Sequence, residues 1–168
     1  RAVGDCADVV VYADDIAFQD RPIFSMAMYR KLIRPRQRRV FDLMRRSGMK
    51  VFYHSCGNVR PLLADLVEMG VDILNPVQVS AEGMGNTAAL KEQWGDELIF
   101  WGGIDTQAVL PRGSTGDVCQ EVMRRLNDLA PGGGYVVAPV HDVQPEVPPA
   151  NLCAMFDATG EWEEHAAG

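Results

Sequence analysis

His54 and Cys56, two residues apart in KVFYHSCGNVRP (50–61), bring together an imidazole and a thiol, side chains that suit Zn²⁺ when the first is neutral and the second ionised. If the apolar run before them is a strand that stays extended through its exit, positions i and i+2 point to one side. His54 and Cys56 would then share a face and Ser55 would turn away. A catalytic zinc takes about three protein ligands and leaves one position open. His141, which follows another apolar run, is the best third ligand by that logic. Spacing alone fits equally well a histidine and a cysteine that are merely neighbours. Of the other cysteines, Cys6 precedes its strand and belongs at the opposite end, while Cys119 and Cys153 fall in helical segments and are expected to be buried small apolar residues.

The elements that must position these groups are visible as a repeat. Five short apolar or β-branched runs occur at 8–12, 50–54, 71–76, 98–103 and 134–139, separated by segments of helical periodicity at 26–46, 59–69, 86–94, 115–130 and 149–157. Near-continuous apolar strands alternating with helices predict a parallel sheet covered by helices. Gly48 and Gly70 sit where helix C-caps are expected, and Pro35 predicts a kink or split in the first helix. Gly132–Gly134 precede a strand, whereas phosphate-cradling glycines follow one, so PGGGY reads as a turn. Two architectures fit: an open doubly wound sheet, or part of a closed barrel whose full form needs roughly 250 residues.

Polar residues cluster at the strand exits. Asp14 and Asp15 follow the first run, His54 and Cys56 the second, Asn75 and Gln78 the third, Asp105 and Gln107 the fourth, and His141, Asp142 and Gln144 the fifth. In parallel βα sheets and barrels these exits share one rim, where ligands bind. Each also has a plain structural reading: the aspartates as turn or N-cap residues, Asn75–Pro76 as a turn pair. Recurrence over five strands favours a common mouth.

Composition narrows the partners. The chain has 168 residues, 47% apolar, enough for one domain with its own core. It does not begin with methionine, which suits an internal or processed start. A net charge of −7 and a pI near 4.9 argue against a nucleic-acid binder. Half of the sixteen positive residues, Arg30, Lys31, Arg34, Arg36, Arg38, Arg39, Arg45 and Arg46, lie in one segment whose apolar positions recur at helical spacing. That segment reads as an amphipathic helix with a solvated basic face, with anion binding as the competing reading. Four unevenly spaced cysteines and no signal sequence point to a reducing, cytoplasmic setting. No apolar stretch approaches the roughly 20 residues needed to span a membrane.

HSCGNVRPLLADLVEMGVDILNPVQ, FWGGIDTQAVLP, GGGYVVAPVHDVQPEVPPANL and YADDIAFQDRPIFSMAMYRKLIRPR together resemble the C-terminal half of the uroporphyrinogen decarboxylase superfamily, over roughly residues 3 to 157. Within it they look most like the corrinoid-dependent methyltransferases, including methylcobalamin:coenzyme M methyltransferases. The resemblance implies an α/β fold, a partial (β/α)₈ TIM barrel comprising about its last five βα units, over residues 1–157, followed by a flexible tail at 158–168. It implies exposed strand edges that association, for instance as a homodimer, or a preceding part of the barrel must cover.

By the same resemblance, His54 and Cys56 are metal ligands for Zn²⁺. The third ligand of the methyltransferases is a cysteine, where this chain has His141, as the decarboxylases do. That departure leaves His141 either as third ligand or as an acid or hydrogen-bond donor. The implied reaction moves a methyl group between a corrinoid, on a corrinoid protein or as free methylcobalamin, and a small-molecule acceptor, typically a thiol. Asp14, Asp15 and Asp105 would orient groups or act as acids and bases; Asn75, Gln78, Gln107 and Gln144 would bind substrate. A metal-free decarboxylase and an inactive fragment of such a barrel are the alternatives.

Overall fold

The computed structural model describes residues 6–166, with side chains through residue 162. The first five residues of the expected domain and the last two of the expected tail lie outside the described residues. Five strands, β1 (Val9–Ala13), β2 (Lys50–His54), β3 (Ile73–Val77), β4 (Ile99–Ile104) and β5 (Tyr135–Pro139), form one sheet, every neighbouring pair parallel. Their spatial order is β1-β2-β3-β4-β5. A doubly wound sheet reverses its strand order at a switch point. This one never reverses, so it is an open arc of barrel staves rather than a doubly wound domain.

The helices are α1 (Met26–Met28), α2 (Arg34–Arg45), α3 (Leu63–Met69), α4 (Thr87–Trp94), α5 (Val109–Arg112), α6 (Thr115–Leu129) and α7 (Pro149–Ala166). They cover one face of the sheet. On that face Val51, Tyr53, Leu74 and Phe100 are buried against Tyr29, Phe41, Leu63, Leu66, Met69 and Leu90. Full burial of each large apolar side chain is worth about 1.5–3 kcal/mol. A second cluster under α5, α6 and α7 joins Ile104, Leu110, Val118, Val122 and Met155.

Pro35 acts one turn earlier than a simple break would. α1 runs into a π-helical turn, Tyr29–Ile33, in which the Arg34 N–H reaches the Tyr29 carbonyl, and α2 begins with Pro35 in its first turn. There its missing N–H costs little. Gly70 caps α3 in the left-handed conformation, its N–H bonded to Leu66 and Val67. α7 runs on to Ala166, past the boundary expected at 157, and Trp162 donates from Nε1 to Asn127 at 2.9 Å. Cys153 is a correction to the sequence reading: it lies on the exposed side of α7, and Cys119 is only half-buried. An amphipathic helix offers both a core and a solvent side, and helical periodicity in a stretch this small and polar does not say which side a cysteine takes.

Three of the eight basic residues of this segment, Arg30, Arg34 and Arg38, are paired internally. Arg30 and Arg34 converge on the buried Asp65 carboxylate of α3, at 3.0 and 2.8 Å, and Arg34 also reaches Glu68 at 2.7 Å. Arg38 pairs with Asp42 at 3.5 Å. The Arg38–Asp42 pair lies within α2, whereas the Arg30 and Arg34 contacts tie the π turn and α2 to α3. Among the described residues no helix is long and apolar enough to cross a membrane.

Candidate functional site

Strand register brings the exits level. Ala13 pairs with His54, and His54 with Asn75, so the C-terminal ends of β1, β2 and β3 form one row. Beyond that row the chain between His54 and Asn58 is held from both sides. Towards β1, the Asp14 N–H donates to the His54 carbonyl at 3.0 Å and the Asn58 N–H to the Phe18 carbonyl at 2.8 Å. The buried Ser55 turns away from the mouth, as its position between His54 and Cys56 predicts, and its Oγ accepts from the Ile16 N–H at 3.2 Å. Towards β3, the Ser55 N–H donates to the Asn75 carbonyl at 2.9 Å, and the Gly57 N–H to Gln78 Oε1 at 2.6 Å.

Gly57 is required here. Its φ is +90°, and a Cβ would lie 2.6 Å from the carbonyl oxygens of Ala17 and Phe18. Only glycine adopts that conformation without strain and admits so close an approach.

The chemistry-bearing atoms then fall together. His54 Nδ1 is 2.6 Å from Asn75 Oδ1. The amide oxygen only accepts, so Nδ1 carries the proton and Nε2 keeps its lone pair. Nε2 lies 3.9 Å from Cys56 Sγ. Asp15 Oδ1 accepts the Cys56 N–H at 2.8 Å. One ligand atom from each of Asp15, His54 and Cys56 lies within 4.8 Å of the others, and among the described residues no other trio of histidine, cysteine, aspartate or glutamate meets that limit. Burial, and then the nearby Asp15 carboxylate, push the Cys56 thiol pKa up.

A buried polar chain supports the β1 exit from behind. Tyr29 donates to Gln37 Oε1 at 2.9 Å, Gln37 to the Tyr53 hydroxyl at 3.4 Å, and Tyr53 to the Asp14 carbonyl at 3.2 Å. Burial raises the pKa of both Tyr29 and Tyr53, keeping them protonated donors. Asp14 itself faces back towards Tyr12, whose hydroxyl donates to Oδ2 at 3.2 Å.

The remaining expected residues divide by what already occupies them. Asp105 is buried and spends its carboxylate on the N–H groups of Gln107, Ala108 and Val109, closing the turn that leads into α5. Gln78 is buried, and besides Gly57 it contacts Gln19 Oε1 at 3.1 Å. Asn75 serves as the orienting partner of His54. Gln107, His141, Asp142 and Gln144 are exposed at the mouth. His141 is outside the close trio.

Two hollows meet at this pair. One, of about 630 Å³, is lined by Val11, Ala13, His54 and Asn75 on the open face of the sheet and by Pro139 to Val143 across it. The other, of about 380 Å³, takes in Cys56, Gln19, Gln78, Thr106, Gln107 and Gln144. Val140, His141 and Asp142 line both. Gln19 and Thr106 were not anticipated from sequence. Gln19 sits in the loop that leaves β1, six residues past the strand's end, where nothing local in the sequence marks it.

Comparison with known proteins supplies the lineage of this architecture. The family model described as Uroporphyrinogen decarboxylase (URO-D) matches residues 2–162. Comparison with curated proteins gives no significant match. Among solved structures, a methyltransferase from Methanosarcina mazei is similar, with a TM-score of 0.74 and 25% identity. The alignment covers 96% of this chain and 44% of that one, so the chain spans less than half the length of its structural relative. With a family match over nearly all of its residues and five staves of a barrel wound in sequence, the chain belongs to the uroporphyrinogen decarboxylase family.

Proposed function

We propose that this chain carries the metal-binding side of a methyltransferase-like site that moves a methyl group between a corrinoid and a thiol or similar acceptor. The observation that carries the reading is the His54–Cys56 pair at the barrel mouth, with the imidazole proton fixed on Nδ1 by Asn75 and Nε2 turned towards Sγ at 3.9 Å. Two tetrahedral zinc ligands of these types stand about 3.5 Å apart, from Zn–N and Zn–S bonds of about 2.0 and 2.3 Å. The pair therefore fits a zinc ion with little movement. Likeness to the Methanosarcina mazei methyltransferase supports the same reading.

A zinc ion held there would supply the positive charge that keeps a bound thiol ionised at neutral pH. A corrinoid, free or on a partner protein, would supply the transferable methyl group. The chain's own part is to hold and orient. Asn75 fixes the tautomer that leaves Nε2 available, and the Ser55 and Gly57 hydrogen bonds fix the Cys56 backbone. Two hollows converging on one pair suit a reaction in which two partners meet, and exposed His141, Asp142, Gln107 and Gln144 line them for substrate contact. Asp14 and Asp105 then hold the rim in shape through the Tyr12 contact and the bonds to the turn before α5.

The test is metal content and methyl transfer. Purified under reducing conditions, the chain should hold about one zinc, lost in His54→Ala and in Cys56→Ser. Transfer from methylcobalamin to a panel of thiols is then measured with this chain and with a version extended to the full barrel. Activity in the longer protein alone would mean that the remaining staves complete the site. An absence of bound zinc would sink the methyltransferase reading in favour of a metal-free, decarboxylase-type site around His141, the reading favoured by a histidine at that position.

A further inference from the structure

Resting on that metal-binding reading, the geometry points to Asp15, rather than His141, as the third protein ligand, giving a carboxylate, imidazole and thiolate set. Two adjacent strand exits would contribute the ligands, Asp15 after β1 and His54 and Cys56 at and just beyond the end of β2, with Asn75 of β3 behind the imidazole. Ligand atoms of the trio lie within 4.8 Å of one another, a set that does not include His141. Carboxylate oxygen is an ordinary zinc ligand, at about 2.0–2.2 Å.

The hydrogen bond that Asp15 makes does not use up the group. Oδ1 accepts the Cys56 N–H at 2.8 Å, but a carboxylate has about four lone-pair sites on two oxygens. The bond instead ties the carboxylate to the same residue that offers the thiol, so the two anionic groups are positioned together. Asp15 is exposed and lines neither hollow, so ligation leaves the substrate side free.

Charge gives the arrangement a consequence. A neutral imidazole, a thiolate and a carboxylate exactly balance a divalent cation, whereas two imidazoles and one thiolate leave one positive charge. An acceptor thiolate joining the balanced set sits in a net anionic complex, which withdraws less of its electron density and leaves it the stronger nucleophile. His141, released from ligation, faces both hollows and can contact either incoming partner.

Cobalt(II) is the probe, because thiolate ligation gives a near-ultraviolet charge-transfer band and tetrahedral geometry gives strong visible bands. The metal-stripped, reduced chain is titrated with Co²⁺ alongside Asp15→Asn, His141→Ala and Cys56→Ser. Asp15→Asn keeps an acceptor for the Cys56 N–H while removing the charge, so a purely structural role predicts no change in it. The expected result is one Co²⁺ per chain, at least tenfold weaker binding in Asp15→Asn with altered visible bands, and less than twofold change in His141→Ala. Thermal melts of the metal-free variants check that the fold is kept. Tenfold weakening in His141→Ala with an unchanged Asp15→Asn would overturn the assignment and leave the metal reading standing. Tight binding abolished only in Cys56→Ser and indifferent to both would also overturn it, and no binding in the unmodified chain would remove both.

Discussion

The two sides of the mouth are built differently. On the β1–β3 side every chemistry-bearing group is tied down: His54 to Asn75, Cys56 to Asp15 through its backbone, Gly57 to Gln78, and Ser55 to Ile16. On the β5 side, residues 141–144 are exposed, and the side-chain hydrogen bond there is local, from Gln144 Nε2 to the Asp142 carbonyl at 3.0 Å. The difference teaches where geometry is set in advance and where it can adapt. A metal site needs ligands held before the ion arrives. A surface meeting a mobile substrate does not.

The largest effect expected from breaking this asymmetry is at Gly57. Replacing it with alanine forces a Cβ onto the carbonyls of Ala17 and Phe18 at a φ of +90°. Strain and overpacking together should cost about 2–4 kcal/mol, read as a lower urea midpoint with an unchanged slope. A midpoint unmoved by Gly57→Ala would mean that the 54–58 segment is looser than its hydrogen bonds imply.

Next comes Asn75→Ala, which removes the acceptor at 2.6 Å from His54 Nδ1. Loss of such an orienting partner typically lowers metal affinity roughly 10–100-fold. Competition against a chelator of known zinc affinity would measure it. Equal affinity would show that the ring holds its tautomer without help.

A smaller, kinetic effect concerns the thiol. Burial and then Asp15 raise the Cys56 pKa above the ordinary thiol value. In the metal-free protein the neutral thiol is thus favoured by folding, and its contribution to stability falls as pH rises from the unfolded-state value through the folded one. Alkylation by iodoacetamide, which requires the thiolate, should be slower at pH 8 than for a cysteine in an unstructured peptide, with its midpoint at higher pH. Asp15→Asn removes one of the two causes and should bring the midpoint down. Added zinc should block the reaction.

The smallest effect is expected on the loose side. His141→Ala removes an exposed side chain and should change folding stability by less than about 0.5 kcal/mol in urea denaturation. A larger loss would show that residues 140–144 are packed more firmly than their exposure implies.

Much of the scaffold was legible in the sequence because its signals are local. Apolar runs located all five strands to within a residue or two of their observed bounds, and Gly70 marked the end of α3. Pro35 announced a disturbance, although a π turn at Tyr29–Ile33, rather than a break at the proline, absorbed it. Cys153 shows the limit of such reading, since helical periodicity alone did not tell its solvent side from the core side. The candidate site was legible in its residue types and less so in its partnerships. Asn75 and Gln78, expected to meet substrate, line the two hollows and also hold His54 and the Gly57 backbone, partnerships no local pattern announced. Of the arginines of α2, so prominent in the chain, Arg34 is answered by Asp65 and Glu68 and Arg38 by Glu68, all on another helix.

What the sequence determined by itself is the succession of strands and helices and the presence of imidazole, thiol, amide and carboxylate groups at their exits. These depend on periodicity and turn chemistry over a few residues. The tertiary structure alone decided the winding of the sheet, its single helix-covered face, and the meeting of Asp15, His54 and Cys56. Those depend on strand order and register, which bring together residues about forty positions apart in the chain, such as Asp15 and Cys56, and which no local pattern encodes.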